Sequence, residues 1–323
     1  MEGRNTGIFI AILMVCFVTF FINRQGVAAN VSIAEFDFIS TNNKSNNYRL
    51  SDGISKDEHE EIAKQQLLEY KQKKIKENCI KQAHLDTLES QIRALIGNNI
   101  NKVGMVYYDI NSSKSIRINE DKQFVAASTI KVPINMLMYD MVKENKININ
   151  EKLKFEQCDY EEGAGILQGT DLSSPISIKT LSDYSIRYSD NIAINMILRK
   201  VGIENKYDYM QEMLGHKVDH SGNNTTPKDS WKILEKLYFN VDNNKYYDTM
   251  IQAMKKTDYH DRIDKYIPKE IVAHKIGDYG EYVNDIAIVN KKNPYILVVF
   301  TEDVPEANEV IAKVSKLIYD AQE

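Results

Sequence analysis

Apolar and polar positions follow two periods along the chain, one helical and one extended. From Ser55 to about Gly97, apolar residues recur at roughly helical spacing, which predicts a long helix. Its first half, 56–78, is rich in Lys and Glu and is predicted to be a solvated stalk, whereas the part from about His84 is apolar enough to dock on a core. The run Val103–Ile110, a polar turn and the run Ser115–Ile118 then predict a β-hairpin.

The rest of the chain continues with helical periods and then returns to strands. The pattern predicts helices at about 128–145, 178–201, 228–238 and 245–257, and a closing amphipathic helix at 305–321. It predicts further strands at Glu270–Gly277, Tyr282–Val289 and Pro294–Thr301. Because strands at both ends enclose a helical middle, we expect an α+β fold in which the two ends of the domain meet in one antiparallel sheet.

The N-terminal part of the chain has the pattern of a targeting segment. Residues 8–22 form an uncharged apolar run, IFIAILMVCFVTFFI, and a small-x-small cleavage pattern occurs at 27–29. The run is at the upper limit of a signal-peptide core, about 7–15 residues, and is short for a spanning helix of about 20 residues. We expect three parts: 1–29 a membrane anchor or signal segment, 30–82 a polar tether and charged stalk helix, and 83–323 an extracytoplasmic domain, anchored to the cell membrane or secreted.

Composition excludes several classes of function. The 323-residue chain carries a formal net charge of −5 and has a pI near 5.8, so it lacks the basic footprint of a nucleic-acid-binding protein. Three cysteines are too few for a disulfide framework. We expect no metal and no cofactor. Five of the six histidines are considered as metal ligands and are too scattered along the sequence to form a site: His84, His216, His220, His260 and His274. Strand alternation predicts that His274 faces away from its neighbour Lys275.

A serine and a lysine three residues apart form the first candidate site. Ser128 and Lys131 open a predicted helix, so their side chains share one face. Burial would lower the pKa of the lysine and allow it to act as a neutral base towards the serine. The helix N-terminus would direct backbone N–H groups at an oxyanion formed beside Ser128. The alternative is that Ser128 is only a helix cap and Lys131 a surface charge.

Two further groups of polar residues fit the same chemistry. Ser189-Asp190-Asn191 precedes an apolar helix, where it either caps the helix or relays a proton and holds an amide carbonyl. Lys275-Ile276-Gly277 ends a late strand at a glycine-containing turn, a position from which it would edge a substrate cleft.

In this order, the three groups resemble the class A β-lactamase and penicillin-binding serine hydrolases. The resemblance extends to three further segments, Gly163–Gln168, Asn224–Asp229 and Asn284–Val289, and covers about residues 83–323. It implies an antiparallel five-stranded sheet flanked by helices, together with an all-helical lobe and a cleft between the two.

The resemblance also implies roles for individual residues. Ser128 would be the acylated nucleophile and Lys131 its base partner. Ser189 and Lys275 would shuttle the proton and bind the substrate carboxylate.

The remaining implied residues bind substrate. Asn191 would contact the acyl amide, and Gly277 would lie at the edge of the cleft. The backbone N–H groups of Ser128 and Asp278 would form the oxyanion hole.

The chain departs from the family pattern at two points. Class A enzymes carry a Glu-x-x-Leu-Asn loop before the Thr-Thr-Pro segment, and here the loop is truncated and its Glu is missing. Asp219, Glu161 and Glu162 are candidates for replacing it. Ile276 stands where the family has a hydroxyl residue, and losing such a polar contact costs about 0.5–1.5 kcal/mol. Acylation chemistry is retained in this sequence, whereas fast deacylation does not follow from it.

These features together predict a monomeric, membrane-tethered serine β-lactamase-type hydrolase that forms an acyl-enzyme on Ser128 and hydrolyses a β-lactam amide. One alternative is a D-Ala-D-Ala peptidase or penicillin-binding protein acting on a peptidoglycan peptide. Another is a slowly deacylating β-lactam sensor. All three take a small-molecule substrate and no nucleic acid.

Overall fold

The computed structural model describes residues 56–322, with side chains from residue 64 onward. Within this range no helix is both long and apolar enough to cross a membrane. The predicted anchor at 1–29 and the tether up to residue 55 lie outside the described residues. A boundary between two compact units falls between Lys73 and Lys74, and the fold described below is that of the second unit.

The strands of this unit are five to eight residues long in the central sheet, and the others have two residues each. They are β1 Val103–Asp109, β2 Lys114–Ile118, β3 Phe124–Val125, β4 Lys152–Leu153, β5 Ile176–Ser177, β6 Asn224–Thr225, β7 Val272–Tyr279, β8 Tyr282–Val289 and β9 Tyr295–Glu302. Five of them form one sheet in the order β2-β1-β9-β8-β7, and every neighbouring pair is antiparallel. The predicted α+β fold with a five-stranded antiparallel sheet is therefore confirmed.

The helices fall mostly in the middle of the chain. They are α1 Lys56–Ile96, α2 Lys131–Lys143, α3 Ile178–Arg187, α4 Asn191–Val201, α5 Ile203–Leu214, α6 Pro227–Phe239, α7 Lys245–Lys255 and α8 Ala307–Ala321. Short 3₁₀ helices occur at Gly97–Lys102, Ala127–Ile130, Gln157–Asp159 and Lys269–Ile271.

Both faces of the sheet are buried, and each has its own core. In β9, Ile296 and Val298 pack with the middle helices, whereas Leu297 and Val299 pack with α8 and the end of α1. This alternation is the two-residue period of a strand. Successive residues of such a strand therefore alternate between the core under the middle helices and the core under the terminal helices.

The helical prediction is wrong at three places. The stretch predicted as one helix at 178–201 is interrupted after Arg187, because Asp190 caps a new helix by accepting a hydrogen bond from Ala193 N. The α-helix predicted from residue 128 begins at Lys131, after a 3₁₀ turn. Helix α5 was not predicted, although the spacing of its apolar residues is helical.

Candidate active site

Ser128 lies in a tight turn that enters helix α2. Ala127 has a φ of 49°, which places a residue with a side chain in the left-handed region just before Ser128. Thr129 stabilises the turn by donating from both N and Oγ1 to the Ala126 carbonyl, at 3.2 and 2.7 Å. The turn presents the half-buried Ser128 to a cavity while Lys131 follows as the first residue of the α-helix.

Lys131 is buried and points back at the serine. Its Nζ lies 2.9 Å from Ser128 Oγ, 2.6 Å from the Ser189 carbonyl and 2.6 Å from Asn191 Oδ1. Burial lowers the pKa of Lys131 to about 8, although Glu161 and Asp190 oppose the shift. The alternative that Lys131 is a surface charge is excluded, since its exposed fraction is 3%.

The corner between α3 and α4 carries Ser189 in a strained conformation. Its φ is 55°, which is costly for a residue other than glycine and is often found at functional sites. The corner is held from both sides, because Asp190 N donates to the Tyr184 carbonyl and Asn191 N to the Ala164 carbonyl. Strain at Ser189 thus turns its hydroxyl towards both lysines of the site.

Asp190 connects this corner to the loop that precedes it. The buried carboxylate accepts hydrogen bonds from the backbone N–H groups of Ile166 and Leu167, at 2.7 and 2.8 Å. Gly165 allows this approach, because it has a φ of 130° and a Cβ there would lie 2.4 Å from the Asp190 carboxylate. The middle member of the Ser-Asp-Asn motif therefore has a structural task.

Lys275 enters the site from strand β7. Its Nζ donates to Ser189 Oγ at 2.9 Å and to the Ile276 carbonyl at 3.0 Å. Burial lowers the pKa of Lys275 well below its usual range, and the neighbouring Lys131 lowers it further. Ser189 Oγ therefore lies between two buried amines, 2.9 Å from Lys275 Nζ and 3.4 Å from Lys131 Nζ.

The end of β7 passes directly over the serine turn. A Cβ on Gly277 would lie 2.7 Å from the Ala126 carbonyl oxygen and 3.1 Å from Ser128 N, so only glycine permits this approach. Ser128 and Asp278 line the same cavity. The two N–H groups assigned to the oxyanion hole thus belong to segments that meet at the nucleophile.

Arg262 is a residue of this site that the sequence motifs did not indicate. Its buried guanidinium donates to both carboxylate oxygens of Asp278, at 2.6 and 2.7 Å, and to the Asn284 carbonyl at 2.8 Å. This fork holds the segment after Gly277 in place. No local spacing links Arg262 to β7, and only the fold brings them together.

The cavity in front of Ser128 has a volume of about 900 Å³. Its wall includes Glu161 and Glu162, but Ile276 is not among the lining residues. Asn195, four residues after Asn191 and also in the wall, donates from Nδ2 to Glu161 Oε2 at 2.8 Å. This contact places a carboxylate on the loop side of the cavity.

Asp219, the third candidate for the missing Glu, lies elsewhere. It is exposed, does not line the cavity, and binds Ser221 and Asn224. These hydrogen bonds lower the pKa of Asp219 to about 2, which makes it a weak base. The structure therefore leaves the two glutamates as the candidates near the nucleophile.

Two of the five histidines considered as metal ligands lie close together in the fold. His260 and His274 lie together with Asp264, and their ligand atoms are within 4.8 Å of one another. His274 does face away from Lys275, as strand alternation predicts, and its ring contacts Asp285 at 3.0 Å. The loop carrying His260 follows no local period, so the sequence could not show this proximity.

Comparison with known proteins identifies the family. A model described as the β-lactamase enzyme family matches residues 87–322, most of the chain. The chain belongs to the β-lactamase enzyme family. The resemblance to class A β-lactamases and penicillin-binding serine hydrolases is thereby confirmed.

Two β-lactamases illustrate the distance of this family member from its relatives. The chain is 23% identical to β-lactamase VEB-1 of Pseudomonas aeruginosa over 265 residues, covering 72% of this chain and 88% of that protein. It is 26% identical to β-lactamase SME-1 of Serratia marcescens over 267 residues, covering 73% and 89%.

Solved structures of the family share the same fold. PBP-A superposes with a TM-score of 0.66 at 25% identity, covering 73% of this chain and 95% of that one. A PBP-A mutant in an acyl-enzyme complex with penicillin G gives 0.68 at 26% identity, covering 73% and 96%. An ancestral class A β-lactamase gives 0.66 at 18% identity, covering 72% and 99%, which is a likeness of fold alone. The β-lactamase and penicillin-binding branches are thus about equally distant from this family member.

Proposed function

We propose that the protein is a serine β-lactamase-type hydrolase that is acylated on Ser128 and then releases the opened β-lactam by hydrolysis. The observation that carries the proposal is Lys131 Nζ, buried 2.9 Å from Ser128 Oγ. Because burial lowers the pKa of Lys131 to about 8, part of the amine is neutral near pH 7 and can accept the serine proton.

Acylation uses the hydroxyls of Ser128 and Ser189 and the amines of Lys131 and Lys275. Ser128 Oγ bonds to the β-lactam carbonyl carbon, its proton passes to Lys131 Nζ, and the N–H groups of Ser128 and Asp278 hold the oxyanion. When the carbon–nitrogen bond breaks, Ser189 Oγ gives its proton to the leaving nitrogen and regains one from Lys131, whose Nζ lies 3.4 Å away. Lys275 keeps Ser189 oriented, and a substrate carboxylate beside it would favour the charged form of the amine and so offset the loss of solvation.

Deacylation needs a base for water, and Glu161 is our candidate. Its carboxylate is close enough to Lys131 to raise the pKa of that amine, and it is fixed by Asn195 Nδ2 at 2.8 Å. In this proposal Glu161 accepts a proton from the water that attacks the Ser128 ester, and Lys131 relays that proton from Glu161 to Ser128 Oγ as the ester bond breaks, so that both residues return to their starting states. Glu161 would thus take the role of the glutamate that the truncated loop lacks.

A second candidate function is a D-Ala-D-Ala peptidase or penicillin-binding protein, including a slowly deacylating sensor. The observation that favours it is the short connection from Gly215 to Asn224, which holds no Glu-x-x-Leu-Asn pattern. The likeness to PBP-A at 25–26% identity is as strong as the likeness to the β-lactamases.

We also propose that the enzyme works outside the cytoplasm. This proposal is supported by the uncharged run at 8–22 and by the polar sequence that follows it. In this proposal the domain is released by cleavage after the run or held at the outer surface of the membrane by it, on the side where β-lactams and peptidoglycan peptides are found.

The test is to incubate the full-length protein, purified in detergent, with a chromogenic cephalosporin and in parallel with a fluorescent penicillin. Sustained colour release supports the β-lactamase proposal. A stable one-to-one adduct without turnover supports the penicillin-binding alternative, and release of D-Ala from a D-Ala-D-Ala peptide separates the peptidase from the sensor. Wild type that behaves like Ser128→Ala in every assay contradicts the nucleophile assignment and both proposals.

A further inference from the structure

A second cluster of polar side chains lies on the face of β7 opposite Lys275. It is formed by His260, Asp264 and His274, and we call it the His–Asp–His cluster. His274 Nε2 is 3.4 Å from Asp264 Oδ2, and the same carboxylate oxygen contacts His260 Nδ1. Asp264 and His274 are each 1% exposed, whereas His260 is partly open to solvent.

Two atoms of this cluster are buried without a hydrogen bond of standard geometry, although His274 Nε2 lies 3.4 Å from Asp264 Oδ2. His274 Nε2 and Asp264 Oδ1 make no hydrogen bond to any other described residue. Buried polar atoms of this kind are rare and call for a physical explanation. Both belong to side chains that converge on one point, so a single bound cation would satisfy them together.

Asp285 fixes the orientation of the His274 ring. Its carboxylate lies 3.0–3.1 Å from His274 Nδ1 and is itself fixed by the Ile263 N–H at 3.1 Å. With the Nδ1 proton directed at Asp285, a metal ion would take the place of the proton on Nε2, the atom that faces Asp264. A carboxylate behind a histidine in this way is the usual outer-sphere arrangement of a metal-bound imidazole, because it fixes the ring and its tautomer.

We propose that the His–Asp–His cluster binds a divalent transition-metal ion of the zinc class. Two imidazoles and one carboxylate are a donor set that Zn²⁺ accepts, with a fourth position left for water. Tetrahedral zinc bonds of about 2.0–2.2 Å to nitrogen and oxygen place ligand atoms about 3.3 Å apart. His274 Nε2 and Asp264 Oδ2 already have this separation at 3.4 Å, whereas the partly exposed His260 ring, which now contacts the same oxygen directly, would move away to admit the ion. The fourth position would face the partly exposed side of His260.

The metal would tie a loop to the sheet. His260 and Asp264 lie in the segment between α7 and β7, and His274 lies in β7 itself. The same segment carries Arg262, whose guanidinium holds Asp278 at the mouth of the cavity. A bound ion would therefore stabilise the position of Arg262 without touching the nucleophile, so its role is structural.

The experiment uses the full-length protein in detergent, stripped with EDTA and titrated with Zn²⁺ by equilibrium dialysis. We expect one tightly bound Zn²⁺ per chain and a higher melting temperature in its presence. His260→Ala removes the partly exposed ligand and is expected to weaken binding at least tenfold. His216→Ala is the matched control, since its ring also contacts a carboxylate, that of Asp229 at 2.8 Å, and it is expected to bind Zn²⁺ like the parent.

Co²⁺ substitution identifies the ligands. Two imidazoles and a carboxylate give visible d–d bands without a thiolate charge-transfer band, which excludes binding at the free cysteines Cys79 and Cys158. The proposal is overturned if no stoichiometric Zn²⁺ is bound, or if His260→Ala and His216→Ala bind it equally. None of these readouts requires β-lactam turnover, so they stand apart from the proposed function.

Discussion

The two faces of strand β7 carry buried ionisable groups with opposite behaviour. Lys275 and His274 are adjacent in the chain, and each is 1% exposed. On the face towards the helical lobe, burial and Lys131 lower the pKa of Lys275 well below its usual range. On the other face, burial also lowers the pKa of His274, but Asp285 and Asp264 outweigh it and raise the value to about 10.

The comparison shows that partners, rather than burial, decide the protonation of a buried base here. Lys275 and Lys131 contact hydroxyls, carbonyls and an amide, whereas His274 contacts two carboxylates. Neutral partners do not offset the loss of solvation of an ammonium, so the amine gives up its proton more easily. The surroundings of Lys275 therefore favour a neutral amine, and those of His274 favour a charged imidazole.

The largest expected effect concerns the base itself. Lys131→Met should slow acylation of Ser128 by about 10²–10⁴-fold, because it removes the proposed general base, whose Nζ lies 2.9 Å from Ser128 Oγ. The measurement is the second-order rate of labelling by a fluorescent penicillin. Lys206→Met is the matched control, since Lys206 lines the same cavity but its Nζ lies 3.7 Å over the ring of Tyr207. Equal losses in the two variants would contradict the role of Lys131.

A second pair of variants tests whether the buried bases on the two faces of β7 contribute differently to the free energy of unfolding. His274→Leu should lower the free energy of unfolding by about 3–5 kcal/mol, because it leaves a buried carboxylate without its ion-pair partner. Lys275→Met should change it by about 1 kcal/mol or less, because two lost hydrogen bonds are offset by the relief of a desolvated amine. Urea unfolding of both variants in EDTA provides the measurement, and a larger loss in Lys275→Met would reverse the comparison.

Deacylation gives the next prediction on the catalytic face. Glu161→Gln should slow release of the acyl group by about 10²-fold while leaving the acylation rate within a few fold, since a general base for water is lost. Glu162→Gln, the adjacent cavity residue, is the control and should behave like the parent. The rates are followed by loss of the penicilloyl mass from Ser128. If the two variants deacylate equally, Glu161 is not the base.

Local motifs were enough to predict that Ser128, Lys131, Ser189 and Lys275 lie together. One helical turn brings the side chains of Ser128 and Lys131, three residues apart, into contact. The two-residue period of β7 places Lys275 and His274 on opposite faces of the sheet. The apolar periods likewise predicted all five strands of the main sheet. These features depend on neighbours in sequence, which a periodic pattern records directly.

The contacts that the sequence did not reveal cross between loops and distant elements. Arg262 reaches Asp278, and His260 reaches the neighbourhood of His274, only because the segment before β7 folds back over the sheet. Glu161 meets Asn195 through a loop that Asp190 holds in place. No period or spacing fixes the path of such loops, since tertiary hydrogen bonds set it.

The smallest expected effect is the pH dependence of acylation. Because the pKa of Lys131 is lowered from 10.5 to about 8, the neutral amine accumulates as pH rises towards 8 rather than towards 10.5. The acylation rate should therefore rise about tenfold per pH unit between pH 6 and 7.5 and level off above about 8.5. Between about pH 8 and 10.5 the unfolded chain binds more protons at this residue than the folded one, so the contribution of Lys131 to stability increases with pH in that window. Lys206→Met should show the same acylation profile. A rate that keeps rising beyond pH 9.5 would mean that the amine is solvated, and the difference between the two faces of β7 would then not govern the chemistry.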